Sequence, residues 1–238
     1  MAIDASSSML ANDLKPNRLE ALKNVAIEFV NQRINDRVGL VIYATESYTR
    51  MPVTSDKGIV ISSIRGIDYG NLEDGTAIGM GLSTAVNRLK TSKSKSKVII
   101  LLTDGMNNSG FINPKTATQL ALGYNIKVYT IGIGTNGMAK TPIAYRPDGS
   151  LKFGLRKVEI DEALLKSIAQ QTNGKYFRAK DNKELKEIYN EIDKLEKTEL
   201  KEFRYYNYEK KYRIFTALAL ILILLEVVAR YTLFKSFI

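Results

Sequence analysis

The sequence contains no cysteine and no histidine. Their absence removes thiol chemistry, disulfides, Ser–His and Cys–His nucleophile pairs, and nearly all zinc and haem ligation. Any metal held by this chain must rest on oxygen ligands, which selects Mg²⁺, Mn²⁺ or Ca²⁺. No signal peptide is expected either, since Met1-Ala2-Ile3 runs directly into Asp4. No internal repeat, low-complexity linker or nucleic-acid motif is present.

What is present fits one sizeable α/β domain with an appendage in 238 residues. Lys and Arg number 35 against 25 acidic residues, a net charge of +10. The densest cluster, Lys90, Lys93, Lys95 and Lys97, interleaves with Ser and Thr rather than aromatics. It reads as a solvated connection, and the overall excess suits anionic lipid headgroups.

Apolar runs alternate with amphipathic stretches up to residue 196, the pattern of a doubly wound, mostly parallel sheet covered by helices. Strands are predicted at Val38–Tyr43, Val98–Leu102 and Val128–Ile133. Helices are predicted after Lys15-Pro16-Asn17 (apolar face Leu19, Leu22, Val25, Ala26, Phe29, Val30) and at Ala77–Leu89, Pro114–Tyr124, Asp161–Gln171 and Asn182–Leu195. In the last, Leu185, Ile188, Ile192 and Leu195 form the expected buried stripe. Ile143–Arg146, Pro147-Asp148-Gly149 and Ser150–Phe153 read as a hairpin projecting from the ligand-binding end of the sheet. Gly132-Ile133-Gly134-Thr135-Asn136-Gly137 fits a dinucleotide fingerprint in letters only, since Pro142 and the hairpin stand where a helix is needed.

The C-terminal part reads as a membrane anchor. Ile214–Leu225 carries no charge, and beyond it Glu226 and Arg230 lie one helical turn apart, able to neutralise each other. Phe203, Tyr205, Tyr206, Tyr208 and Tyr212 with Lys210, Lys211 and Arg213 resemble an interfacial belt. The expected organisation is a globular domain at 1–196, a juxtamembrane segment at 197–212, a transmembrane helix at 213–234 and a tail at 235–238.

Three motifs are read as lying where strands give way to loops: Asp4-Ala5-Ser6-Ser7-Ser8, Glu73-Asp74-Gly75-Thr76 and Leu102-Thr103-Asp104-Gly105. Open parallel sheets bind ligands at such ends, so Asp4, Ser6, Ser8, Thr76 and Asp104 are expected to converge. Alternate positions of an extended segment face one side, which suits three donors from Asp4, Ser6 and Ser8. Two carboxylates and three hydroxyls leave one position of an octahedral Mg²⁺ open, fit for a partner's Asp or Glu carboxylate. Asp74 reads as a turn residue.

Those five residues resemble the metal-ion-dependent adhesion site of von Willebrand factor A domains. Met9–Leu19, Thr103-Asp104-Gly105, Gly174–Ala179 and Glu191–Glu199 are similar to BatA-type proteins of the Bacteroides aerotolerance group. The resemblance implies that Ser6, Ser8 and Thr76 bind metal directly and that Asp4 and Asp104 bind it directly or through water. It implies a binding module rather than an enzyme, acting in envelope stress tolerance with other Bat-type membrane proteins and a MoxR-type AAA+ ATPase. Members of that group carry two transmembrane helices and a longer first strand ahead of the motif. Only Met1, Ala2 and Ile3 stand there here, so those parts are expected to be lacking. The Lys and Arg count around the anchor favours a cytoplasmic domain, whereas two preceding helices are compatible with a periplasmic one. The reading adopted is a bacterial inner-membrane protein with a periplasmic domain. Two alternatives stand beside it: a metal-assisted phosphoryl-transfer or hydrolytic enzyme at the same crevice, and a subunit of a membrane channel or secretion assembly.

Overall fold

The structure is a computed structural model, and it describes residues 1–33, 35–148, 151–199 and 212–232. The chain divides into two compact units, Met1–Thr198 and Glu199–Ile238.

In the first unit a six-stranded sheet has the order β3-β2-β1-β4-β5-β8. β1 (Ala2–Asp4) lies at its centre, parallel to β2 (Val38–Tyr43) and to β4 (Val98–Thr103). β5 (Lys127–Ile133) and β8 (Tyr176–Ala179) extend the parallel set, while β3 (Ser47–Thr54) runs antiparallel at the edge. The strands are apolar on both faces because both are covered. Ile100 and Leu102 of β4 join the core beneath α1 (Arg18–Gln32), α2 (Lys57–Arg65) and α6 (Asn182–Glu199). Ile99 and Leu101 join the core beneath α3 (Ile78–Leu89), α4 (Pro114–Gly123) and α5 (Glu162–Gln171).

Local chemistry sets the helix starts. Asn17 caps α1 by accepting from the Glu20 amide at 2.8 Å, and Asp161 caps α5 by accepting from Leu164 at 2.9 Å. The expected apolar face of α1 is buried from Leu19 to Val30. β6 (Gly137–Tyr145) and β7 (Leu151–Val158) form the hairpin, longer than the expected one. Gly149 and Ser150 of the expected turn lie outside the described residues.

Two expectations are corrected and a third finds no support. The stripe of α6 ends at Ile192: Leu195 is 39% exposed, and Glu196 is buried in its place because Tyr129, Lys127 and Ser96 supply polar partners there. Thr76 lies on the loop between α2 and α3 rather than at a strand end. The transmembrane helix expected at 213–234 corresponds to α7 (Tyr212–Thr232), yet no helix among the described residues is long and apolar enough to cross a membrane. Glu226 and Arg230 lie near the end of its apolar run. These two share a helix face but form no ion pair among the described residues. The side chains from Phe215 to Val228 are exposed. Most of the expected juxtamembrane belt (Phe203 to Lys211) and the tail at 235–238 lie outside the described residues.

Candidate metal centre

Strand order reverses at β1, whose neighbours β2 and β4 lead away in opposite directions. Asp4 ends β1, and Asp104 follows β4 by one residue, so adjacent parallel strands deliver both carboxylates to the switch point. Both are fully buried.

Beyond Asp4 the chain does not stay extended. Ser6 is extended, but Ser7–Leu10 forms a turn of 3₁₀ helix containing Ser8. The hydroxyls still converge: Ser6 Oγ and Ser8 Oγ lie 3.0 Å apart, and Ser8 Oγ donates to Asp104 Oδ1 at 2.6 Å. Asp4 accepts from the Ser6 amide at 2.9 Å and from Thr103 Oγ1 at 2.7 Å. Thr76 is buried beside Gly105, where an added Cβ would stand 3.3 Å from the Thr76 hydroxyl. Asn108 accepts from the Thr76 amide at 2.9 Å, and Thr76 O accepts from the Asn108 amide at 3.0 Å, fixing that loop. Asp4, Ser6, Ser8 and Asp104 thus form one hydrogen-bonded group, and Thr76 lines the same crevice as Ser6 and Ser8.

Three further residues hold this arrangement. Arg18 is fully buried and donates from Nη1 to Asp104 Oδ2 at 2.7 Å. Its Nε and Nη2 make a forked contact with Asp13 at 2.7 and 2.5 Å. Gly134 has a φ of +97°, and a Cβ there would sit 2.4 Å from the guanidinium, so this backbone position both needs and leaves room for nothing larger than hydrogen. Asp74 is more than a turn residue: it accepts from the Ser7 amide at 2.8 Å and from Ser7 Oγ at 2.7 Å, pinning the serine loop. Asp13 and Arg18 fall within the Met9–Leu19 stretch that carries the family likeness, which is the signal that could have singled them out.

The electrostatics are unbalanced. Three carboxylates, Asp4, Asp104 and Asp13, meet one guanidinium, leaving two negative charges uncompensated when all are ionised. Burial and then the Asp104 charge push Asp4 up to about 7. Burial also raises Asp104, against the pull of Arg18. Burial acts on Asp13 as well, but the hydrogen bonds and charge of Arg18 hold it below the usual carboxylate range. A hard divalent cation fits this donor set, since it would neutralise the excess and use hydroxyl and carboxylate oxygens alone. Among the described residues no group of three or more acidic side chains is placed to hold a metal ion by itself.

An open α/β sheet with this oxygen-rich group at its switch point defines a class of ligand-binding domain. The chain belongs to the von Willebrand factor type A domain family, whose model matches residues 1–191. An uncharacterized protein of Borreliella burgdorferi is 33% identical over 183 residues, covering 76% of this chain and 53% of that relative. The chain spans about half the length of the curated relatives it matches. Among solved structures, BatB from Bacteroides thetaiotaomicron, described as a conserved hypothetical protein, is 29% identical with a TM-score of 0.69, covering 82% of this chain and 96% of that one. An aerotolerance-related membrane protein from Bacteroides fragilis is 28% identical with a TM-score of 0.67, covering 80% and 96%. The expected likeness to the aerotolerance group is thereby borne out.

Proposed function

We propose that this domain is a divalent-metal-dependent protein-binding module, Mg²⁺ being the leading ion and Mn²⁺ or Ca²⁺ the alternatives. The observation that carries this reading is the pair of buried carboxylates, Asp4 and Asp104, hydrogen-bonded to a serine loop whose Ser6 and Ser8 line a crevice of about 510 Å³. Ser6, Ser8 and Thr76 would hold the ion through hydroxyls, and Asp4 and Asp104 directly or through water. The ion, when bound, supplies an electrophilic site for a carboxylate. The chain's own contribution is to orient the donors: Arg18 fixes Asp104, Asp74 fixes the serine loop and Asn108 fixes Thr76. A partner presenting Asp or Glu completes the site.

Membrane tethering through α7 belongs to the same reading. It is supported by the exposed apolar run Phe215–Leu225 and by the membrane description of the B. fragilis protein. Other Bat-type membrane proteins and a MoxR-type AAA+ ATPase are the partners that the family likeness suggests. The place proposed is the bacterial inner membrane with the domain on the periplasmic side, in an envelope stress or aerotolerance complex.

The test is calorimetric titration of Mg²⁺ and Mn²⁺ into the full chain in detergent, beside Asp4→Ala/Ser6→Ala and the milder Ser6→Ala/Ser8→Ala. Saturable one-to-one binding, weakened at least 100-fold in both folded variants, is expected. Absence of binding by the folded wild-type chain would remove the reading.

A further inference from the structure

The crevice has a second wall that the proposed metal centre does not use. It comes from the hairpin, through Thr141 on β6 and Arg156, Lys157 and Glu159 on and just after β7. Ala139 pairs with Arg156 and Thr141 with Gly154, so Thr141 and Arg156 share one face of the ribbon. That face is turned toward the domain: Ala139 and Thr141 are 6% and 2% exposed, whereas Met138 and Leu155 on the other face are 63% and 70% exposed. Lys157 is occupied by an ion pair with Glu159. Arg156 has no ion-pair or hydrogen-bond partner among the described residues. The Thr141 hydroxyl is buried with no hydrogen-bond partner either, an arrangement that costs free energy unless something supplies one.

We infer that Arg156 and Thr141 form a second anchor in the crevice, one that takes a second carboxylate from the same acidic partner segment whose first carboxylate meets the metal. This rests on the metal-dependent reading above and specifies its partner as a stretch with two acidic side chains a few residues apart. The mixed charge of the wall chooses between anions. A compact, multiply charged ion such as phosphate brings all its charge to one point, close to the Glu159 carboxylate that lines the same wall. Two carboxylates spaced along a chain divide their charge between the metal and the guanidinium, whose planar donors match a carboxylate in a forked contact.

The experiment uses the full chain in detergent and capped, fluorescein-labelled peptides read by fluorescence anisotropy. One set carries two glutamates separated by one to four glycines, and the control carries a single glutamate. In Mg²⁺ the best two-glutamate peptide is expected to bind wild type at least tenfold more tightly than the control. Arg156→Ala should erase that difference and leave the control unchanged, Arg156→Lys should restore part of it, and Thr141→Val should lower it by a smaller factor. Equal affinity for both peptides, an unaltered preference in Arg156→Ala, or no peptide binding at all overturns the inference. So does displacement of the two-glutamate peptide by millimolar inorganic phosphate at constant ionic strength. Calorimetry with Mg²⁺ alone separates the two failures. Metal binding without a two-glutamate preference removes only the second anchor. An Arg156-dependent preference without metal binding removes the metal reading and keeps the anchor.

Discussion

The two ends of the central sheet each bury charge, and they do so in opposite ways. At the end away from the crevice, Glu196 of α6 accepts from Tyr129 at 2.6 Å, from Lys127 Nζ at 3.2 Å and from Ser96 at 3.2 Å. Among the described residues one carboxylate there meets one ammonium and two hydroxyls, so its charge is matched. At the crevice end, Asp4, Asp104 and Asp13 share one guanidinium, and burial raises the first two carboxylates. A balanced buried group fastens an element; an unbalanced one stores a demand for a ligand. Both ends belong to one compact unit, so the contrast cannot be laid to different degrees of order or solvent access between domains.

The largest expected effect comes from making the unbalanced end worse. Arg18→Met leaves Asp104 and Asp13 without their buried cation, and loss of one partner from such a group costs about 3–5 kcal/mol. Urea unfolding of the full chain, followed by circular dichroism in EDTA, should show a loss of that size. Saturating Mg²⁺ should return part of it, because a ligand that binds only the folded state stabilises by mass action. A loss under about 1 kcal/mol would mean that the carboxylates are neutral in the folded protein and that the imbalance is not real.

The next effect is a pH dependence that the ion should abolish. Asp4 is raised to about 7 from an unfolded value of 3.8, so its protonated form favours the fold fully below 3.8. That contribution is lost as pH rises toward 7, and Asp104 is shifted in the same direction. Asp13 is lowered and acts the other way: its contribution is present above 3.8 and is lost as pH falls through its folded value. Between pH 5 and 7 the metal-free chain should therefore lose stability on the order of 1 kcal/mol per pH unit from Asp4. With Mg²⁺ saturating, the slope should flatten, and proton release on metal binding should be measurable over the same window. Identical slopes with and without Mg²⁺ would break the link between the buried carboxylates and the ion.

How much of this contrast was legible in the sequence depends on the distance over which each interaction acts. The stripe of α1, the span of α3 and the apolar runs of β2, β4 and β5 follow from spacing alone, and they emerge within a residue or two. Asp4, Ser6, Ser8, Thr76 and Asp104 were legible as a set, although the serine loop turns into 3₁₀ helix where extended chain was expected. β3 escaped because it is a half-exposed edge strand containing Pro52, and α2 because it buries only Val60 and Ile64. The Arg18–Asp104 pair joins residues 86 apart in the chain, which no periodicity reports. Asp74 carries the letters of a turn, and its grip on Ser7 appears only once the loops meet. At α6 the apolar spacing pointed to Leu195, yet position 196 won the inward site because its carboxylate finds three donors there.

Glu196 therefore offers the smallest and sharpest test of the contrast. Glu196→Gln keeps the shape and one acceptor oxygen but removes the charge that Lys127 faces. A partly exposed ammonium facing a neutral amide is a lesser fault than two stranded carboxylates, so the expected cost is about 1–2 kcal/mol. Lys127 keeps its place over the Tyr129 ring, 5.9 Å from the centroid, which limits the loss further. The decisive reading is the affinity for Mg²⁺: a closed group at the far end has no charge to share with the crevice, so calorimetry should return the wild-type value within about twofold. A tenfold change in that affinity would mean that the two ends act as one electrostatic system, with α6 transmitting the state of one to the other.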